Sequence, residues 1–258
     1  MTASPHHPAR ARSFDSAAAQ YAANRPSYPA QLLDEIEELA GRRFAGATVG
    51  DVGAGTGIST RLMHDRGANV VGVEPGDGMA AEFRRALPDV PLVRGDGNSL
   101  PFRDACLDFL TYAQSWHWTD PHRAVPEALR VLRPGGALAL WWNTTPYDVE
   151  WLAAQALRLG RHFGVDVAQE KDRASRTDLA DPTGTLTFAR RTVRWSRRVP
   201  LDTHLANIGS HSVFLVDTRE RTTAFLTAER AHLLAEFPDG AVEETYDVTL
   251  LLARRPTP

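Results

Sequence analysis

At 258 residues the chain has room for one sizeable α/β domain with an added lobe. Its 24% charged and 43% hydrophobic residues are an ordinary globular composition, and a net charge of −3 gives no global basic field to attract nucleic acid or an anionic membrane. Cys106 is the only cysteine, which excludes an intramolecular disulfide and a cysteine-based zinc site; with no spanning apolar run and no secretory signal, the expected setting is cytoplasmic.

Residues 1–13 lack a hydrophobic period and read as a disordered tail. Residues 14–40 read as an N-terminal helical cap segment. An alanine-rich stretch reaches Tyr21, the run Arg25-Pro26-Ser27-Tyr28-Pro29 breaks it, and Leu32, Leu33, Ile36 and Leu39 then mark one helical face. Arg25, between two aromatic residues and two prolines, is held rather than free.

Residues 41–145 alternate strand and helix patterns, with strands expected at 47–52, 70–74, 90–94, 107–112 and 137–142. Such alternation builds a parallel sheet with helices on both faces, and ligands bind beyond the carboxyl ends of its strands. The first strand ends at Asp51-Val52 and enters Gly53-Ala54-Gly55-Thr56-Gly57 before a helical pattern opens at Ile58. Glycine admits positive φ and close approach of a ligand. The spacing is neither G-x-G-x-x-G nor a phosphate loop with its lysine, so it suits a nucleoside that brings no phosphates. The second strand ends in Glu74, an acid placed to take both hydroxyls of a ribose. Gly95-Asp96-Gly97 follows the third strand, and Gln114-Ser115-Trp116-His117-Trp118 follows the fourth. Asp120-Pro121 supplies a cap and a first-turn proline to the next helix, within which Pro126 predicts a later start or a distorted first turn. Arg133-Pro134-Gly135-Gly136 reads as a helix stop and turn.

Residues 146–258 read as lid helices plus the last two sheet strands. A helix carries Trp151, Leu152, Gln155, Leu159 and Phe163, a polar loop spans 164–185, strands are expected at 186–200 and 245–253, and helices lie between them over 201–237. Five arginines between 190 and 198 read as charge guarding an exposed strand rather than as a nucleic-acid surface.

Asp51 to Gly57, Glu74, Gly95-Asp96 and Arg133 to Gly136, in that order, resemble the class I S-adenosylmethionine-dependent methyltransferases. The resemblance implies a Rossmann-like, mostly parallel seven-stranded sheet with helices on both faces, an antiparallel last strand and a helical lid. The core over 41–145 would bind S-adenosyl-L-methionine. Gly53, Ala54 and Gly55 would face its methionine end, with Asp51 orienting the loop or taking the amino group. Glu74 would hold the ribose, and Asp96 and Gly97 the adenine. Pro75 and Met79 complete the set, and Gln114 would lie near the transferring methyl. Tyr21 and Tyr28 would roof the cofactor, with Arg25 toward a carboxylate.

His117 is the candidate general base, with capping of its own loop as the alternative. Trp116 and Trp118 would wall an acceptor pocket, an aromatic face favouring a sulfonium. Tyr28, Trp142, Asn143, Tyr147 and His211 complete the acceptor candidates, Trp142 and Tyr147 being equally placed for the core. No residue cluster has metal-ligand spacing. The implied activity is in-line methyl transfer to an oxygen or nitrogen of a small-molecule acceptor, in specialised metabolism. Within the small-molecule branch, the Tyr21–Pro29 and Gln114–Trp118 segments are similar to the trans-aconitate methyltransferase-like group, which esterifies small carboxylates. A catalytically silent cofactor-binding protein and a tRNA or protein methyltransferase are the alternatives. The expected partners are a small-molecule acceptor, no nucleic acid and no membrane, in a monomer or homodimer.

Overall fold

The computed structural model describes residues 18–19, 21–169, 180–215 and 217–257. The tail expected over 1–13 and the middle of the loop expected over 164–185 lie outside the described residues. Seven strands form one sheet. In chain order β1 is Thr48–Val52, β2 Asn69–Val73, β3 Leu92–Val93, β4 Leu107–Ala113, β5 Leu132–Thr144, β6 Ala189–Pro200 and β7 Ala241–Arg254. Their spatial order is β3-β2-β1-β4-β5-β7-β6, and the pairs from β3 through β5 are parallel. Strand β7 runs against its neighbours. Gly136 bonds Arg255 while Thr144 bonds Asp247, and Arg197 bonds Glu244 while Arg194 bonds Asp247, so one number falls as the other rises. This is the expected sheet, with its last strand antiparallel.

Named in chain order among the described residues, helices include α1 (Ala30–Ala40), α2 (Ile58–Asp65), α3 (Asp77–Ala86), α4 (Pro121–Val131), α5 (Glu150–Phe163), α6 (Leu201–Gly209), α7 (Ser212–Leu215) and α8 (Arg219–Glu236), with a 3-10 turn at Trp116–Trp118. Helix α4 starts as its sequence says: Asp120 Oδ1 accepts from His122 N at 3.0 Å and Pro121 opens the first turn. Pro126 sits inside the helix, so the late start is excluded and the turn simply lacks one backbone donor. Its Ala124, Val125, Ala128 and Val131 pack with Leu107, Leu110, Leu138 and Leu140 of the sheet.

One expectation is corrected. Arg133 to Gly136 is not a free turn ahead of a strand at 137; β5 already begins at Leu132. Leu107 pairs with Leu132 and Phe109 with Ala137, so the segment is a bulge of extra residues. It is taken up by the far end of the chain: Gly135 N donates to Arg255 O at 3.0 Å, and Arg255 N to Gly136 O at 2.8 Å. A Cβ at Gly136 would lie 2.9 Å from Arg133 O and 3.1 Å from Asp108 O, so the close approach requires glycine.

The chain clusters into two compact units. One takes Ser27–Asn143, Arg176–Val193 and Val248–Pro258, and holds the parallel strands. The other takes the chain up to Pro26, Thr144–Ser175 and Arg194–Asp247. The second unit has a small apolar core of Leu201, Leu205, Leu233 and Val242. Beside it runs a buried polar chain. Arg158 pairs with Glu229 at 2.6 Å, Gln155 Nε2 donates to Glu229 Oε1 at 2.9 Å and lies 3.0 Å from His204 Nε2, His204 Nδ1 meets Glu244 Oε1 at 2.7 Å, and Arg197 closes on Glu244 at 2.5 Å. Burial works to raise the Glu244 pKa, but His204 and Arg197 bring it down to about 2 from its ordinary 4.5. A depressed carboxylate stabilises the fold above its unfolded pKa and stops doing so as pH falls through the folded one. Glu244→Gln should therefore cost on the order of 2 kcal/mol at neutral pH, a penalty that shrinks from pH 5 toward pH 2. Urea unfolding across that range reads it directly.

Four of the five arginines of β6 are held by carboxylates. Arg194 bonds both Asp148 and Asp247, Arg197 bonds Glu244, Arg198 bonds Asp239, and Arg191 lies 3.4 Å from Glu35. No helix among the described residues is long and apolar enough to cross a membrane.

Candidate active site

The bend after β1 is tied to its neighbours on two sides. Gly53 N and Ala54 N donate to Val73 O at 2.8 and 3.1 Å, drawing the bend onto the end of β2. Ser115 Oγ donates to Val52 O at 2.5 Å, fastening the segment after β4 to the end of β1. Gly53 has φ +67, and a Cβ there would stand 2.5 Å from Ser115 Cβ, so a side chain is excluded twice. Gly55 is different. Among the described residues a Cβ on it would meet only Gly53 O, at 3.9 Å, an ordinary van der Waals contact.

Glu74 closes on that bend. Its Oε2 accepts from Gly55 N at 2.9 Å and its Oε1 from Gly76 N at 2.8 Å, with the residue only 7% exposed. Asp51 is fully buried at the end of β1. Its Oδ2 accepts from Ser59 Oγ at 2.7 Å and Thr60 Oγ1 at 2.6 Å, and its Oδ1 from Thr111 Oγ1 at 2.9 Å. Burial raises its pKa against the opposing pull of the three hydroxyls. Through these contacts Asp51 binds the first turn of α2 and the middle of β4 to β1.

At the end of β3, Asp96 is exposed, with Oδ1 accepting from Asn98 N at 2.7 Å. Gly97 is buried against Tyr112 and Thr119, and a Cβ on it would lie 2.7 Å from Thr119 Cγ2. Tyr112 Oη donates to Gly97 O at 3.4 Å. Pro75 is exposed and its carbonyl accepts from Arg94, which also pairs with Asp77. Ala54 and Met79 are buried, Met79 within the core face of α3.

At the end of β4, Gln114 adopts φ +57, a left-handed backbone that residues other than glycine rarely take. Its N donates to Trp141 O at 2.9 Å. His117 is exposed; its Nδ1 accepts from Trp142 Nε1 at 3.3 Å, and its ring lies 4.6 Å from that of Trp118. Asn143 Nδ2 donates to Ser27 O at 3.3 Å, and Tyr28 sits edge-on to Trp141 at 5.9 Å.

Trp116 is a correction. It was expected on the pocket wall, but it is 3% exposed, its Nε1 donates to Ala180 O at 3.1 Å, and it packs edge-on against Tyr112 at 4.7 Å. Within the 3-10 turn it points inward to the core. Tyr21, Arg25, Tyr147 and His211 belong to the other unit. There Arg25 lies 4.7 Å over the Tyr21 ring and 3.5 Å from Asn207 Oδ1. Burial, then Arg25 and His204, push the His211 imidazole down to about 3, with Glu244 opposing. Tyr147 is half-buried in the turn before α5.

Sequence reasoning passed over several residues. Ser59 and Thr60 were legible as hydroxyls one turn beyond a strand-end acid. Ser115 and Thr111 carried no local signal. Among the described residues, Thr56 Oγ1 and Trp141 Nε1 are buried without a hydrogen-bond partner, both in segments that line the carboxyl end of the sheet. Among the same residues no group of three His, Cys, Asp or Glu side chains is placed to hold a metal ion.

Residues 50–140 match the methyltransferase domain family. An uncharacterized methyltransferase of Mycobacterium tuberculosis is 36% identical over 226 residues, covering 88% of this chain and 87% of that protein. A demethylmenaquinone methyltransferase of Beutenbergia cavernae is 39% identical over 113 residues, 43% of this chain and 46% of its own. In fold, the chain superposes with a TM-score of 0.66 on a candidate type II methyltransferase of Anaeromyxobacter dehalogenans, at 23% identity over 91% of this chain and 99% of that one. With the glycine bend, the acid at the tip of β2 and the sheet order all in place, the chain belongs to the class I S-adenosylmethionine-dependent methyltransferases.

Proposed function

We propose that the protein transfers a methyl group to an oxygen or nitrogen of a small-molecule acceptor, in specialised metabolism. The observation that carries the cofactor site is the Glu74 carboxylate at the tip of β2 bonded to the Gly55 amide of the glycine bend at 2.9 Å. Gly55 and Glu74 would hold the methionine and ribose parts, and Asp96 and Gly97 the adenine. Asp51 acts through the loop. When bound, S-adenosylmethionine supplies a methyl group on a cationic sulfur, an activated leaving group. The protein's part is alignment and exclusion of water. Gln114, His117, Trp118, Trp142, Asn143 and Tyr28 would face the acceptor.

A small acceptor is supported by the charge pattern. The net charge is −3, and four of the five arginines of β6 are engaged by carboxylates. One relative carries a small molecule, demethylmenaquinone, in its name, over less than half of its length. Functionally, we assign cofactor binding to 41–145, and acceptor recognition to the carboxyl ends of β4 and β5 within it together with Tyr28.

Calorimetric titration with S-adenosylmethionine and S-adenosylhomocysteine tests the first half of this reading. Incubation with methyl-labelled cofactor and panels of small acids, phenols and amines, beside bulk tRNA, tests the second. Label passing to tRNA and to none of the small molecules would overturn it.

A further inference from the structure

We infer that Gln114 is a specificity-determining residue: at a backbone position suited to glycine it keeps a carboxamide, which grips a polar group of the acceptor beside the atom that takes the methyl. The inference rests on the methyl-transfer reading above. The backbone accounts for the position. Gln114 is bonded to β5, its N donating to Trp141 O at 2.9 Å. The next residue, Ser115, is fastened to β1, its Oγ donating to Val52 O at 2.5 Å. Strands β1 and β5 flank β4 on opposite sides, so the chain crosses from one to the other within a single step, and it does so with φ +57 at Gln114. A side chain at such a φ crowds its own backbone, a cost that glycine escapes. The facing bend uses glycine at each of its positive φ values, at Gly53, Gly55 and Gly57. Among the described residues Ala105 alone shares this left-handed backbone with Gln114 without being glycine, and it lies in an exposed turn.

The side chain is not accounted for in the same way. Gln114 is half-buried at the carboxyl end of β4, and among the described residues its carboxamide has no hydrogen-bond partner. A strained residue whose side chain does nothing for the fold points to a ligand. A carboxamide is uncharged and offers one acceptor oxygen and two donor hydrogens. It pairs well with a group that gives and accepts in turn, and with a carbonyl. The acceptor class that fits is a small molecule with a hydroxyl, carbonyl or amide beside the oxygen or nitrogen to be methylated.

Urea unfolding of Gln114→Gly and Gln114→Ala tests the strain without turnover. Both variants lose the carboxamide, and only alanine keeps a Cβ. The glycine variant should be the more stable, by about five-fold in the folding equilibrium constant. Equal stability, or a more stable alanine variant, overturns the inference. Methyl transfer tests the grip. Acceptors from the labelled panel are compared in pairs, with and without a neighbouring hydroxyl or carbonyl. Wild type should favour the member that has it by about ten-fold in kcat/KM, and both variants should lose that preference. A structural role would instead lower kcat/KM for both members alike, and more in the alanine variant than in the glycine variant, which overturns the inference. A wild type without the preference, or a variant that keeps it, overturns it too. If wild type transfers no methyl to any compound, the methyl-transfer reading fails while the stability order still stands, so the two fail separately.

Discussion

Glu74→Ala should weaken binding of S-adenosylmethionine and S-adenosylhomocysteine about 100-fold. The carboxylate does two jobs at once. It accepts from the amides of Gly55 and Gly76, and under the proposed function it would also take the ribose diol. Hydrogen bonds to a charged group contribute about 1.5–3 kcal/mol each, and 1.4 kcal/mol is a factor of ten in affinity. Loss of the diol contact alone gives ten- to a hundred-fold. Loss of the Gly55 contact also frees the bend, placing the expectation at the upper end. Glu74→Gln keeps one carbonyl acceptor and should lose only about ten-fold. Calorimetry with the demethylated product isolates binding from turnover. An affinity within three-fold of wild type in Glu74→Ala would remove this acid from the site.

Asp51→Ala should cost about 5 kcal/mol of unfolding free energy. Three buried hydroxyls, on Ser59, Thr60 and Thr111, lose their common acceptor at once. Each buried polar group left unpaired costs about 1–3 kcal/mol, partly recovered as hydroxyls rotate. Domain stabilities are about 5–15 kcal/mol in total, so the variant should lose much of its margin. Asp51→Asn keeps a carbonyl acceptor and should cost about 2 kcal/mol near pH 4. The pH dependence has a definite sign. The folded pKa is raised by burial, so the native state holds the proton more tightly than the unfolded chain. Stability from this group is fully present below the unfolded pKa and declines as pH rises through the folded one. The asparagine variant lacks that decline, so the gap between it and wild type should narrow from pH 4 upward in urea titrations. A gap that widens would mean the acid is ionised more easily in the fold than outside it.

The parallel half of the fold was legible because short apolar strands, a glycine bend and helix caps each act locally. Asp120 caps α4 where its sequence places it, and Glu74 stands at the tip of β2. What escaped depended on distant partners. Arg133 to Gly136 has every local mark of a turn, yet Arg255 recruits it into the sheet. Trp116 and Trp118 are alike in sequence, and only the 3-10 turn decides that Trp116 goes inward. The positive φ of Gln114 has no signature, since nothing in the residue type asks for it. Ser115 matters because Gly53 lacks a side chain, a complementarity that no single segment displays.

Strand β7 is made last, yet it lies between β5 and β6. During synthesis on the ribosome, β5 therefore waits with one hydrogen-bonding flank open until residues 241–254 have emerged. An open flank of apolar strand is what invites pairing with another nascent copy. Slowing translation just before codon 241 would lengthen that exposure, and chaperone demand during expression should follow the length of this pause.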